Sequence, residues 1–183
     1  VAADGSAARR VPTVILVHGG PTGVATARFS TTTTYLVSRG FGVFTINYRG
    51  SIGHGRAYRE ALNGRWGLVD VLDVRAAARH LVAAGLADAD RIAVMGGSAG
   101  GFTTLHCLIA DARAAAAATA APASSTTTQR TGDGGGGRHR RLFRAGVSYC
   151  GVSDLLGLNA DSHLLERHYN DTMVTPMPSA HGG

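Results

Sequence analysis

Ser98 lies in Gly96-Gly97-Ser98-Ala99-Gly100-Gly101, between a short apolar run, Arg91–Met95, and a helix-like stretch, Phe102–Ala110. A serine on a sharp strand-to-helix bend has its hydroxyl lifted clear of its neighbours. Gly96 and Gly100 remove the side chains that would clash in such a bend. The first N–H of the following helix, on Ala99, then points to where negative charge would develop on an attacked carbonyl oxygen. These residue types in this order suit nucleophilic acyl transfer through Ser98. The five-residue pattern alone is weak. With 26 Gly among 183 residues, chance supplies about 0.2 matches per chain, so the flanking strand and helix carry the reading.

A second glycine turn can complete that chemistry. Pro12–Val17 is β-branched and apolar throughout, the pattern of a strand buried on both faces, and it ends in His18-Gly19-Gly20-Pro21. The Gly20 N–H is the candidate second oxyanion donor. His18 reads as an orienting loop residue. It precedes Ser98 by 80 positions, and in this kind of site the base follows the serine. Phe41–Tyr48 is a further strand, followed by the glycine-rich loop Arg49–Arg56. That loop has neither the Lys-Ser/Thr of a phosphate loop nor the spacing of a dinucleotide fingerprint. It reads as a cleft wall.

The elements that must hold these turns alternate. Phe29–Arg39 reads as a helix closed by Gly40. Trp66–Ala84 carries an apolar stripe of Val71, Val74, Ala78 and Leu81, widened by Leu68 and Val82. Asp70, Asp73, Arg75 and Arg79 fall mostly off that stripe. Asp70 and Asp73 sit near the helix N-terminus, where the dipole favours them. The Asp88–Asp90 segment turns the chain into the 91–95 strand, and Leu142–Gly151 is another strand. Such alternation means a mostly parallel sheet flanked by helices, an α/β fold.

Composition bounds the rest. Hydrophobic residues at 44% and charged residues at 16% fit a globular domain. No apolar run approaches membrane-spanning length. All 18 basic residues are Arg, and the 130–144 stretch supplies +4 of the net +6. This basic stretch reads as a solvated loop, so no nucleic-acid partner is expected. Cys107 and Cys150 read as small core residues, and no zinc-ligand spacing exists, so neither metal nor cofactor is expected. Residues 1–10 read as a linker. The 111–140 stretch, with its Ala, Thr and Gly runs, reads as a disordered low-complexity insertion. Residues 161–170 read as a short helix and 171–183 as a disordered tail. The domain proper is thus placed at 11–110 and 141–170. The chain opens on Val1 and reads as an excerpt or a processed product.

Five groups of residues occur together in register. They are His18-Gly19-Gly20-Pro21; Asn47-Tyr48-Arg49-Gly50-Ser51; Gly64-Arg65-Trp66-Gly67 with Asp70 and Asp73; Gly96–Gly101; and Phe143–Gly146 with Gly151-Val152-Ser153-Asp154. Together they resemble the peptidase domain of the prolyl oligopeptidase family, most of all its dipeptidyl-peptidase and acylaminoacyl-peptidase branch. The resemblance spans about 12–170, apart from 111–140. It implies a partial α/β-hydrolase fold lacking its C-terminal strands, no cofactor, and a serine peptidase acting on short peptides. Ser98 matches the family nucleophile, and the N–H groups of Ala99 and of the 18–21 turn match its oxyanion donors. The β-propeller that usually precedes this domain is not in the sequence.

Two departures stand out. The family often has a tyrosine in the Arg-Gly-Ser-x-Gly-Tyr-Gly loop, where this chain has His54, a candidate oxyanion or cleft residue. The triad is also incomplete. The order is Ser, then Asp or Glu, then His, yet Asp154 comes one strand too early for the acid. His163, His168 and His181 read as solvated residues. A serine without a base is a weak nucleophile, so the isolated chain reads as an inactive or incomplete peptidase domain. A carboxylesterase or lipase-like hydrolase of the same fold, and a catalytically inert fragment, are the alternatives.

Overall fold

The computed structural model describes residues 10–120, 141–155 and 172–173. Most of the expected linker, the 121–140 part of the expected insertion, the short helix at 161–170 and the tail apart from 172–173 lie outside these residues. Eight elements are described: β1 (Val11–Val17), α1 (Thr31–Ser38), β2 (Gly42–Ile46), α2 (Arg56–Glu60), α3 (Val69–Ala83), β3 (Ala87–Gly97), α4 (Ala99–Ala120) and β4 (Ala145–Tyr149). The strands form one sheet in the order β2-β1-β3-β4, parallel at every pairing.

The register sorts the side chains by face. Ile15, Val17, Phe44, Ile46, Ile92 and Val94 share one face, and α3 and α4 pack there. Val71, Val74, Ala78 and Leu81 of α3 are buried as the stripe requires. The opposite face carries Val43, Thr45, Met95, Val147 and Tyr149. There α1 lies against β2, with none of its own residues buried. Ser30 caps α1, its Oγ accepting from the Thr33 N–H, and Gly40 at φ +82° follows its end.

The order of the strands decides where chemistry can occur. From β1 the chain steps outward to β2, then crosses back to place β3 on the other side of β1. The carboxyl ends of β1 and β3 therefore flank the point where the winding reverses, the usual crevice of an open α/β sheet. The 18–21 turn leaves β1 at that crevice, and the Ser98 bend leaves β3.

Several expectations change, Cys150 among them: read as a core residue, it is exposed. β3 starts at Ala87, so Asp88–Asp90 belongs to a strand. Leu68 is 62% exposed and does not widen the α3 stripe. Asp70 does not fall off that stripe but is wholly buried. Helix α4 runs to Ala120, ten residues into the expected insertion. Alanine is the strongest helix former, so an alanine run prolongs a helix already started. Asp111 fixes this extension. Its Oδ2 accepts from the Leu142 N–H (2.7 Å) and the Phe143 N–H (2.8 Å) as the chain returns toward β4. The arginine Arg75 lies 2.7 Å from its Oδ1. Thr172 and Met173, expected in the tail, also lie on the domain: their carbonyls accept from the Gly64 and Trp66 N–H groups, and Met173 is buried.

Candidate active site

Ser98 is exposed, the first residue past β3, with φ +52°. A non-glycine residue in the left-handed region is uncommon and costs of order 1–3 kcal/mol, so its surroundings must enforce it. They do so through glycine. A Cβ on Gly96 would strike the backbone of Gly100. One on Gly100 would strike the Val17 carbonyl and come within 2.7 Å of the His18 carbonyl oxygen. The two glycines let α4 start against both its own strand and the end of β1. The Ser98 carbonyl accepts from the Gly101 and Phe102 N–H groups, and the Ser98 N–H donates to the Tyr149 carbonyl at 3.2 Å. The bend is thereby tied to β4 as well.

The structure brings the 18–21 turn to the same place. A Cβ on Gly19 would sit 3.5 Å from Ser98 Cβ and 3.2 Å from the Gly97 oxygen. Gly20 has φ +129°, and a Cβ there would meet the Thr22 N at 2.7 Å. Only glycine fits. Ala99 opens α4, so its N–H has no intrahelical acceptor.

The loop after β2 forms the mould for this turn. The Tyr48 hydroxyl donates to the Pro21 carbonyl at 2.7 Å and lies 3.2 Å from the His18 carbonyl. The Tyr48 ring stacks on the His18 imidazole, centroids 4.4 Å apart and 16° from parallel. His18 Nδ1 donates to the Gly19 carbonyl (2.9 Å), and Nε2 lies 2.7 Å from Ser51 Oγ. The Ser51 hydroxyl is also 2.7 Å from the Tyr48 carbonyl, so its single proton faces two acceptors. Burial pushes the His18 pKa below its ordinary value, with the bond to the Gly19 carbonyl partly offsetting this. Asn47 brackets Ala25, accepting from its N–H at 2.7 Å and donating to its carbonyl at 3.0 Å. Arg49 is anchored from outside, its guanidinium spanning both Asp73 oxygens at 2.7–3.0 Å. His18 is thus engaged as an orienting residue.

His54 is exposed, its ring 5.2 Å from that of Tyr58. It makes no hydrogen bond to the bend or to the 18–21 turn among the described residues. Asp154 is exposed beyond β4. His163, His168 and His181 lie outside the described residues. Two features escaped the sequence reading. Tyr149 occupies the space above Gly97, where a Cβ would come within 2.6 Å of its Cζ. Asp70 accepts from the Thr103 hydroxyl at 2.6 Å, fastening α3 to the first turn of α4. Burial raises the Asp70 pKa, opposed mainly by that hydroxyl. Nothing local in the sequence signals either contact. Among the described residues no three His, Cys, Asp or Glu side chains gather as metal ligands would.

A parallel sheet with packed helices, carrying a serine on a strained strand-to-helix bend beside a glycine turn, defines the α/β-hydrolase class. The prolyl oligopeptidase family model matches residues 27–133, and the chain belongs to that family. It is 44% identical over 97 residues to the acylamino-acid-releasing enzyme of Arabidopsis thaliana, covering 53% of this chain and 13% of that enzyme. It is 39% identical over 102 residues to dipeptidyl aminopeptidase BIII of Pseudoxanthomonas mexicana, covering 56% of this chain and 15% of that protein. Among solved structures, it superposes on a Mycobacterium tuberculosis puromycin-hydrolyzing peptidase with TM-score 0.74 and 38% identity. That match covers 95% of this chain and 22% of the other. The chain thus spans a small part of the relatives it matches.

Proposed function

We propose that Ser98 is the nucleophile of a serine peptidase that cleaves short peptides. In this reading the Ser98 hydroxyl attacks the scissile carbonyl, and the oxyanion lies between the Ala99 and Gly20 N–H groups. Its collapse expels the amine and leaves an acyl-enzyme, which water then hydrolyses. The observation that carries the reading is an exposed serine at φ +52° against the 18–21 turn. His54 is proposed as a residue of the cleft rim. No cofactor enters the reaction.

The base is proposed to come from outside the described residues. No described histidine hydrogen-bonds the Ser98 hydroxyl: His18 is bound to Gly19 and Ser51, while His106 and His54 make ring contacts with Phe102 and Tyr58. That arrangement favours a second reading, in which the 183-residue chain holds the nucleophile half of the site and is inert alone. A fluorophosphonate probe offered to this chain separates the two. Labelling that disappears in Ser98→Ala supports a competent nucleophile. An unlabelled chain, folded by circular dichroism, sinks that reading for this polypeptide. Comparing a dipeptide anilide with a butyrate ester in a longer form of the protein tests peptidase against esterase. Preference for the ester overturns the peptide assignment.

A further inference from the structure

Three guanidinium groups converge on one hollow at the end of the sheet opposite Ser98. Arg75 and Arg79 stand one turn apart on α3, and Arg141 lies in the segment leading into β4. Two adjoining cavities of about 200 and 270 Å³ share Arg79, Arg141 and Leu142 as walls. Arg75 and Asp111 line the smaller one, and Val82 and Ala89 the larger.

The charges in this hollow do not balance. Asp111 is its one acid among the described residues. Both of its oxygens are committed, Oδ2 to two backbone N–H groups and Oδ1 to Arg75. Asp88 and Asp90 nearby are held by Arg91 and Arg144. Arg79 and Arg141 form no ion pair among the described residues. Two uncompensated positive charges therefore face one concave space with partly apolar walls. Like charges held there repel, and a doubly negative ligand removes that repulsion. The planar guanidinium fork matches tetrahedral oxyanions in a bidentate fashion.

We propose that the hollow between α3, α4 and the segment leading into β4 binds a small tetrahedral dianion of the phosphate class. Such a ligand bridges Arg79 to Arg141 and adds a second clasp beside the one Asp111 already makes. The site is separate from Ser98 and does not depend on the peptidase reading.

The test is a titration of the full 183-residue chain at constant ionic strength, once with inorganic phosphate and once with O-phosphoserine. Arginine Nε–H and backbone amide resonances and the unfolding temperature report binding. The expected result is a saturable shift confined to Arg79, Arg141 and Leu142, with a rise in unfolding temperature. Arg79→Ala and Arg141→Ala each weaken binding about tenfold or more, the loss of one charge-assisted bond. Both side chains are exposed, so the variants should keep the native circular dichroism spectrum, and Ser98→Ala binds unchanged. Equal responses to both ligands assign the site to a phosphate monoester, and a response to inorganic phosphate alone assigns it to the free anion. Either supports the proposal. A matching shift with chloride, a response that never saturates, or full binding by the Arg79→Ala/Arg141→Ala double variant overturns it.

Discussion

Removing a single hydroxyl tests whether the loop after β2 shapes the turn beside Ser98. Tyr48 is wholly buried, and its ring stacks on His18. Tyr48→Phe keeps the ring, the stack and the packed volume, and deletes only the donor to the Pro21 and His18 carbonyls. The Pro21 bond at 2.7 Å is a full hydrogen bond, and the His18 contact at 3.2 Å is weak. Water cannot replace the donor in so closed a site. The expected cost is one net hydrogen bond plus a partly orphaned carbonyl, about 1–3 kcal/mol. For a chain of this size that lowers the melting temperature by about 2–4 °C per kcal/mol. Guanidinium unfolding should show a lower midpoint with an unchanged slope. Labelling of Ser98 by a fluorophosphonate, measured under native conditions, should slow at the same time, because the turn holding Gly20 has lost its tether. A stability loss under about 0.5 kcal/mol, the size of an ordinary surface change, refutes the mould. A clear stability loss with unaltered labelling refutes its link to the oxyanion turn.

Gly100→Ala should be far more damaging than its size implies. The new methyl meets the Val17 and His18 carbonyls of a neighbouring strand, so α4 must back away. A loss of about 1–3 kcal/mol or more by chemical unfolding is expected, and a neutral result would mean the close approach is not real. Burial holds His18 and His106 below the ordinary 6.5. The unfolded chain therefore binds more protons than the native one in the window just below pH 6.5. Stability is full above 6.5 and falls as the pH drops through that window. Asp70, raised from 3.8, acts with the opposite sign at lower pH. A His18→Gln/His106→Gln variant should flatten the decline between pH 6.5 and 5.5, and an unchanged slope would refute the assignment. Burial pushes the Cys107 thiol up to about 12, whereas Cys150 is exposed. Iodoacetamide at pH 8 should modify Cys150 alone until the chain unfolds, as mass spectrometry of peptides can check.

The strands, most helices and both glycine turns could be read from the sequence because they rest on local rules. β-Branched runs favour strands, and a serine between glycines at a strand end has few backbone options. The alanine run after Asp111 was legible by the same logic, since alanine continues a helix, but its low complexity masked this. What only the tertiary structure decided is which distant groups meet. Asp70 is buried because Thr103, 33 positions away, presents a hydroxyl to it. Tyr48 and Ser51 serve the 18–21 turn because β2 lies beside β1 in the sheet. Arg79 and Arg141 share a hollow because Asp111 draws the returning chain onto α4. Propensity and period act over a few residues. The partner of a buried polar group is set by how whole elements stack, and that information is spread across the chain.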